Sequence, residues 1–214
     1  MKKLFIFIIF LFLIFAGNAS AAVIVFNDGF ESGTLNGWRL TSANGAINWT
    51  ANQTNPFEGS WHANSRPVDT SEPASVLQKN VSLEGYQNVT LRYFRKLVGI
   101  DAADEFEVEW FNGTGWTILE ETAGSSANDA SYLFRGFNLS TAANNLSSFA
   151  IKFECTAGAT SEHCRVDNVT ILGTDSSMPF INLLSPANGS TIQTNLTYFS
   201  ASFIDNFNVT NATL

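Results

Sequence analysis

Apolar and polar positions along this chain alternate with a period of two. Val89, Leu91, Tyr93 and Leu97 fall on one parity, with Thr90, Arg92, Phe94 and Lys96 on the other. Phe106, Val108 and Trp110 alternate with Glu105, Glu107 and Glu109, and Phe149, Ile151 and Phe153 alternate with Ala150, Lys152 and Glu154. Successive side chains of an extended strand point to opposite faces, so these runs predict strands with one buried and one wet face. Further β-rich runs, punctuated by Gly, Asn, Ser and Thr clusters, place strands at 23–26, 37–41, 46–50, 60–63, 74–83, 88–98, 105–111, 115–120, 132–138, 148–154 and 165–172. Many short strands with turn residues between them predict an all-β, antiparallel sandwich. The short gap between 88–98 and 105–111 suits a hairpin that sets Lys96 opposite Glu107 on the wet face. In the last strand Asp167 shares parity with Val169 and Ile171, which predicts a carboxylate directed at the core.

The first residues break the pattern. Lys2 and Lys3 precede an unbroken apolar run from Leu4 to Phe15, and Ala19-Ser20-Ala21 has the small-x-small form read by a signal peptidase. A helix of that run is roughly 18 Å long, short of the ~30 Å hydrocarbon core. Residues 1–21 therefore read as a signal peptide cleaved after Ala21, with an uncleaved anchor as the alternative. The rest of the chain is expected to be extracellular or at the cell surface, with no membrane insertion after cleavage. Loss of the two lysines leaves 9 basic against 19 acidic side chains, a formal charge of −10. Such a surface repels phosphate backbones, so nucleic acid is not an expected partner, while carboxylates remain available to a hard cation.

Two cysteines, Cys155 and Cys164, favour a disulfide in an exported chain; the alternative is a metal site with His163 as a further ligand. Thirteen Asn-x-Ser/Thr sequons exceed the roughly four that composition alone would give. Beyond Asn18 in the signal segment, the glycan acceptors are Asn48, Asn52, Asn80, Asn88, Asn112, Asn138, Asn145, Asn168, Asn188, Asn195, Asn208 and Asn211. A glycoprotein surface follows from the functional reading; the plainer reading is that asparagine suits strand ends and turns. Residues 174–178 read as a polar linker. Residues 179–214 would supply about three strands, too few to close a sandwich alone, so they read as a truncated domain.

Two resemblances add to this. Phe30-Glu31-Ser32-Gly33 with Gly37-Trp38, then Gly59-Ser60-Trp61, Asp104 to Val108, Gly115-Trp116 and Val166-Asp167-Asn168-Val169 resemble, over residues 24–173 of a module placed at 22–173, an extracellular jelly-roll domain. The group includes MAM-type adhesion domains and galactose-binding-like carbohydrate-binding modules. The segment 179–214, with its Ser-Pro-Ala-Asn-Gly-Ser turn, resembles the start of an Ig-like repeat of surface proteins, an incomplete Ig-like β-sandwich. The first resemblance implies that Trp38 and Trp116 occupy core positions. It also implies that Glu31 and Asp167 lie close together and bind structural calcium, with Asp28 as a possible third ligand and backbone carbonyls near 58–60 completing the shell. A buried salt bridge from Asp167 to Arg165 or Arg39, or a turn bond, is the alternative.

Stacking an aromatic ring on a sugar face is one way such modules hold glycans, and Trp61, His62, Arg66 and Phe57 form the candidate exposed cluster. The bland alternative is that they pack a long loop. The sequence carries no G-x-S-x-G elbow, H-E-x-x-H helix, phosphate loop or dinucleotide fingerprint. The expected function is non-catalytic binding or adhesion, with a glycan or a cell-surface protein as partner. The alternatives are a carbohydrate-binding module of a larger enzyme and a structural stalk.

Overall fold

The computed structural model describes residues 21–42, 49–67, 74–177, 180–185 and 200–204. The alternating runs form strands β1 (Ala22–Asp28), β2 (Arg39–Ser42), β3 (Trp49–Asn52), β4 (His62–Ser65), β5 (Ser75–Asn80), β6 (Tyr86–Val98), β7 (Glu105–Phe111), β8 (Trp116–Ala123), β9 (Leu133–Asn138), β10 (Ala150–Thr156) and β11 (His163–Asp175). Strand β11 runs two residues into the expected linker. Beyond it, β12 (Phe180–Ser185) and β13 (Ser200–Ile204) pair as a separate two-stranded sheet. Most of the signal segment, Asn48, Asn188, Asn195, Asn208 and Asn211 lie outside the described residues.

One layer of the sandwich has the order β3-β4-β11-β6-β9, with β1 also paired to β11. The other has the order β2-β5-β10-β7-β8. Every pairing is antiparallel, and the whole is a jelly-roll β-sandwich. Inward-facing side chains of both layers close the core: Leu91, Tyr93 and Leu97 from β6, Phe106 and Val108 from β7, Ile151 and Phe153 from β10. Phe153 lies at its centre, with ring centroids 5.1 Å from Tyr93, 6.2 Å from Trp38 and 6.4 Å from Phe106. Trp49 is buried as well and donates its indole N–H to the Ser75 carbonyl at 2.8 Å.

Two polar devices tie the layers together. Cys155 of β10 and Cys164 of β11 form a disulfide between the two sheets, with Cα atoms 6.1 Å apart. Arg95 shares the inward parity of Tyr93 and Leu97; it pairs with Glu120 of β8 at 2.8 Å and with Asp129 at 3.2 Å. Glu120 also accepts the Tyr93 hydroxyl and pairs with Arg135 at 2.8 Å. A carboxylate shared by two guanidinium groups and a phenol meets the demand that buried charge be paired and hydrogen-bonded.

Three expectations are corrected. Strands β6 and β7 are not a hairpin: they lie in different sheets, and 99–104 crosses between them. Lys96 accordingly stands opposite Arg165, and the glutamate row of β7 is met by Lys152 of β10, which pairs with Glu109 and, at 3.3 Å, with Glu154. Asp167 does not face the core. A β-bulge follows it, with Asn168 in the left-handed region (φ 47), so that Asp167 opposes Phe94 while Thr170 opposes Arg92. One extra residue reverses the parity, leaving Val169 and Ile171 inside and Asp167 on the outer face. Trp116, finally, is no core residue; on edge strand β8 it is 38% exposed.

Phe153→Ala removes the ring around which both layers pack. It is expected to cost about 3–5 kcal/mol, read as a lower denaturant midpoint with an unchanged m-value.

Candidate functional site

Strand β11 takes two neighbours along one edge. β4 pairs with Cys164 to Val166, and β1 pairs with Val169 to Thr174. The bulge residues Asp167 and Asn168 fall in the gap between them, and two turns fill it. In the first, Phe30 holds a positive φ of 60, uncommon for a bulky residue. Two things fix it: the Phe30 N–H donates to Asp28 Oδ1 at 2.7 Å, and the ring is buried against Trp38 at 5.6 Å. Asp28 Oδ2 accepts the Trp38 indole N–H at 2.8 Å.

The second turn, 57–61, reaches both remaining carboxylates through backbone N–H groups. Glu31 accepts from Ser60 at 2.9 and 3.0 Å and from Trp61 at 3.0 Å. Asp167 Oδ2 accepts from Phe57 at 2.8 Å and Glu58 at 3.2 Å, and Oδ1 from Asn168 at 2.7 Å. Gly59 is required here: its φ is +65, and an added Cβ would overlap the Glu31 carboxylate. An open cavity of about 510 Å³ lies between the turns, lined by Asp28, Glu31, Glu58 and Asp167 with Asn27 and Asn168. No basic side chain lines it, and among the described residues no ion pair reaches Asp167. Burial pushes the Asp167 carboxyl up to about 6; the charge of Glu31 adds to this, and the three backbone N–H bonds oppose it. The donor set fits a hard cation in kind, being oxygen throughout and anionic.

The cluster Trp61, His62, Arg66 and Phe57 is not one exposed platform. His62 is fully buried, with both ring nitrogens unpartnered. Its pKa is lowered to about 4, first by burial and then by the charges of Arg165 and His163. Trp61 packs partly on the core with its ring against Gly33, and Arg66 donates to the Thr160 carbonyl at 2.6 Å. Phe57 is 41% exposed but stacks on Phe94, with centroids 3.5 Å apart.

A solvent-facing aromatic in a groove stands elsewhere, on the outer face of the five-stranded sheet. Phe111 falls on the outward parity of Glu105, Glu107 and Glu109, directly opposite both Trp116 and Ala150. Ala150 in turn opposes Asn80, and the adjacent row runs Arg39, Gln78, Lys152, Glu109 and Ile118. The small Ala150 leaves a depression between larger neighbours, a cavity of about 370 Å³ lined by Arg39, Gln78, Asn80, Phe111, Trp116, Ser148 and Ala150. Lys152 Nζ sits 5.1 Å from the Trp116 ring centre. One signal for this groove was available in the sequence: an apolar Phe111 on an otherwise acidic parity.

Among the sequons, Asn80, Asn88, Asn138 and Asn145 are exposed. Asn88, Asn145 and Asn168 hold positive φ, Asn112 accepts backbone N–H bonds within its own turn, and Asn145 accepts the N–H of the distant Gly85. Backbone conformation thus supplies a structural reason for several of these asparagines.

The architecture is shared with carbohydrate-binding and adhesin domains of the β-sandwich type. The K3 cleaved adhesin domain of Lys-gingipain from Porphyromonas gingivalis W83 is similar with a TM-score of 0.53 and 18% identity, over 71% of this chain and 99% of that one. The CBM22-1 xylan-binding domain of Paenibacillus barcinonensis Xyn10C gives 0.51 and 19%, over 74% and 99%. TmCBM61, solved with β-1,4-galactotriose, gives 0.50 and 13%, over 67% and 92%. At these identities the likeness is one of fold. No protein-family model and no curated protein matches the sequence. Among the described residues, no helix is long and apolar enough to cross a membrane.

The raised Asp167 carboxyl has a signed consequence. Its stabilising contribution is fully present below about pH 4 and is lost as pH rises through about 6, because the folded chain holds the proton more tightly than the unfolded one. Thermal melts in chelator are expected to show this decline between pH 4 and 6, and Asp167→Asn is expected to flatten it.

Proposed function

We propose that this chain is an exported, non-catalytic binding module that takes glycan chains on the outer face of its five-stranded sheet. The observation that carries the reading is Trp116, half exposed at the rim of a groove whose other walls are Arg39, Gln78 and Asn80. A pyranose has an apolar C–H face and a rim of hydroxyls. An indole plane matches the face, and a guanidinium with two amides matches the rim in both donors and acceptors. An open groove suits a segment within a chain rather than a buried end. TmCBM61 was solved with β-1,4-galactotriose and the CBM22-1 domain binds xylan, which supports the same ligand class here.

Calcium is the structural partner proposed for the cavity of Glu31 and Asp167, with Asp28 largely committed to Phe30 and Trp38. The acidic charge, the disulfide and the exposed sequons support export to the cell surface as a glycoprotein.

Adhesion to a protein is the second reading, favoured by a different observation. On the outer face of the six-stranded sheet Phe134 is 56% exposed and Phe57 41%, and Phe94 bridges Phe57 to Phe134. Exposed apolar surface of this kind marks association sites.

A glycan array followed by calorimetry with galactan and xylan oligosaccharides separates the two. Specific binding is expected, weakened about tenfold, or about 1.4 kcal/mol, by Trp116→Ala at unchanged melting temperature. A folded protein that leaves the array blank, or binding indifferent to Trp116→Ala, overturns the glycan groove.

A further inference from the structure

The geometry points to a cation site that is separate from the Glu31–Asp167 cavity and binds a hard divalent ion, calcium, between Asp101, Asp104 and Glu162. One carboxylate oxygen from each of these residues lies within 4.8 Å of the others. Asp101 and Asp104 belong to the 99–104 crossover, and Glu162 to the loop closed by the Cys155–Cys164 disulfide. The two segments are pressed together at Gly99, where a φ of +76 and the missing Cβ admit the Ser161 carbonyl; an added Cβ would lie 2.7 Å from that oxygen.

Two of the three acids are buried, Asp104 at 1% exposure and Glu162 at 5%. Glu162 is partly compensated, since its Oε2 accepts the Gly158 N–H at 2.7 Å and also the Ala159 N–H. Asp104 is not. Its Oδ2 accepts the Asp101 N–H at 2.7 Å, but Oδ1 is buried without any hydrogen-bond partner. Among the described residues, no lysine, arginine or histidine pairs with any of the three.

Three converging carboxylates without a counter-charge repel one another, and an orphaned buried oxygen carries an uncompensated desolvation cost. A cation at their common centre removes both penalties. Oxygen-only ligands select calcium or magnesium over the softer transition metals. Calcium tolerates the irregular shell that two turns of backbone supply, and its remaining positions can be filled by water past the exposed Asp101.

Hydrogen exchange of the full chain with its disulfide intact, in calcium and in chelator, tests the site locally. At calcium ten times its dissociation constant, exchange within 99–104 and 156–163 is expected to slow about tenfold. Asp101→Asn, at an exposed position, keeps the fold and is expected to weaken the effect about tenfold; Asp104→Asn abolishes it. The Glu31→Gln, Asp167→Asn double variant retains it. Unchanged exchange in both segments up to about 10 mM calcium, above the usual range of extracellular sites, overturns the proposal. So does protection that survives both Asp101→Asn and Asp104→Asn, or that disappears in the Glu31→Gln, Asp167→Asn variant.

Discussion

The one-residue bulge after Asp167 is the constraint on which the acidic end of this sandwich depends. A continuous β11 would place that carboxylate on the core face with Val169 and Ile171, in the apolar packing of the sandwich. The extra residue moves it to the outer face and opens a gap between β4 and β1, two strands that share one edge of β11. Everything nearby serves that gap. The 57–61 turn folds over it to deliver N–H groups, Gly59 makes room for Glu31, and Phe30 accepts a strained backbone so that Glu31 reaches the same turn. Residues with outward parity are buried too, Asp167 under the N–H groups of this turn and His62 against Tyr132.

Alternation made the sandwich legible. Every predicted run in the first module overlaps a strand among the described residues, since a half-buried strand must alternate if one face is to exclude water. Pairing was not legible in the same way. The gap between 88–98 and 105–111 has the length of a hairpin, but length alone does not distinguish a turn within a sheet from a crossover between sheets. The inward Arg95 and Tyr93, which need Glu120 of the opposite layer, were the physical hint that β6 faces β7's sheet across the core.

Site residues were legible in part. That Glu31 and Asp167 approach one turn came from resemblance; that Asp167 does so from the outer face needed the bulge, which a period-two reading cannot register. Trp61 and His62 sit among turn and strand residues that could have been exposed, and His62 is buried with Tyr132, distant in sequence, edge-on to its ring. Conversely, Trp116 follows a glycine and an Asx turn at a strand start, where core and rim placements look alike. Its neighbours in the groove, Arg39, Gln78 and Asn80, come from strands far away in sequence, so no local pattern could have collected them.

Ala22 at the start of β1 pairs with Thr174 near the end of β11, so the chain joins and leaves the sandwich at adjacent points on one edge. Such a module hangs from its polypeptide as a side loop whose two ends lie together. Tension applied between those two ends would load the β1–β11 ladder one bond at a time, opening it like a zipper. The core and the groove on the far sheet would feel the force last, behind a seam that can reclose when the load is released.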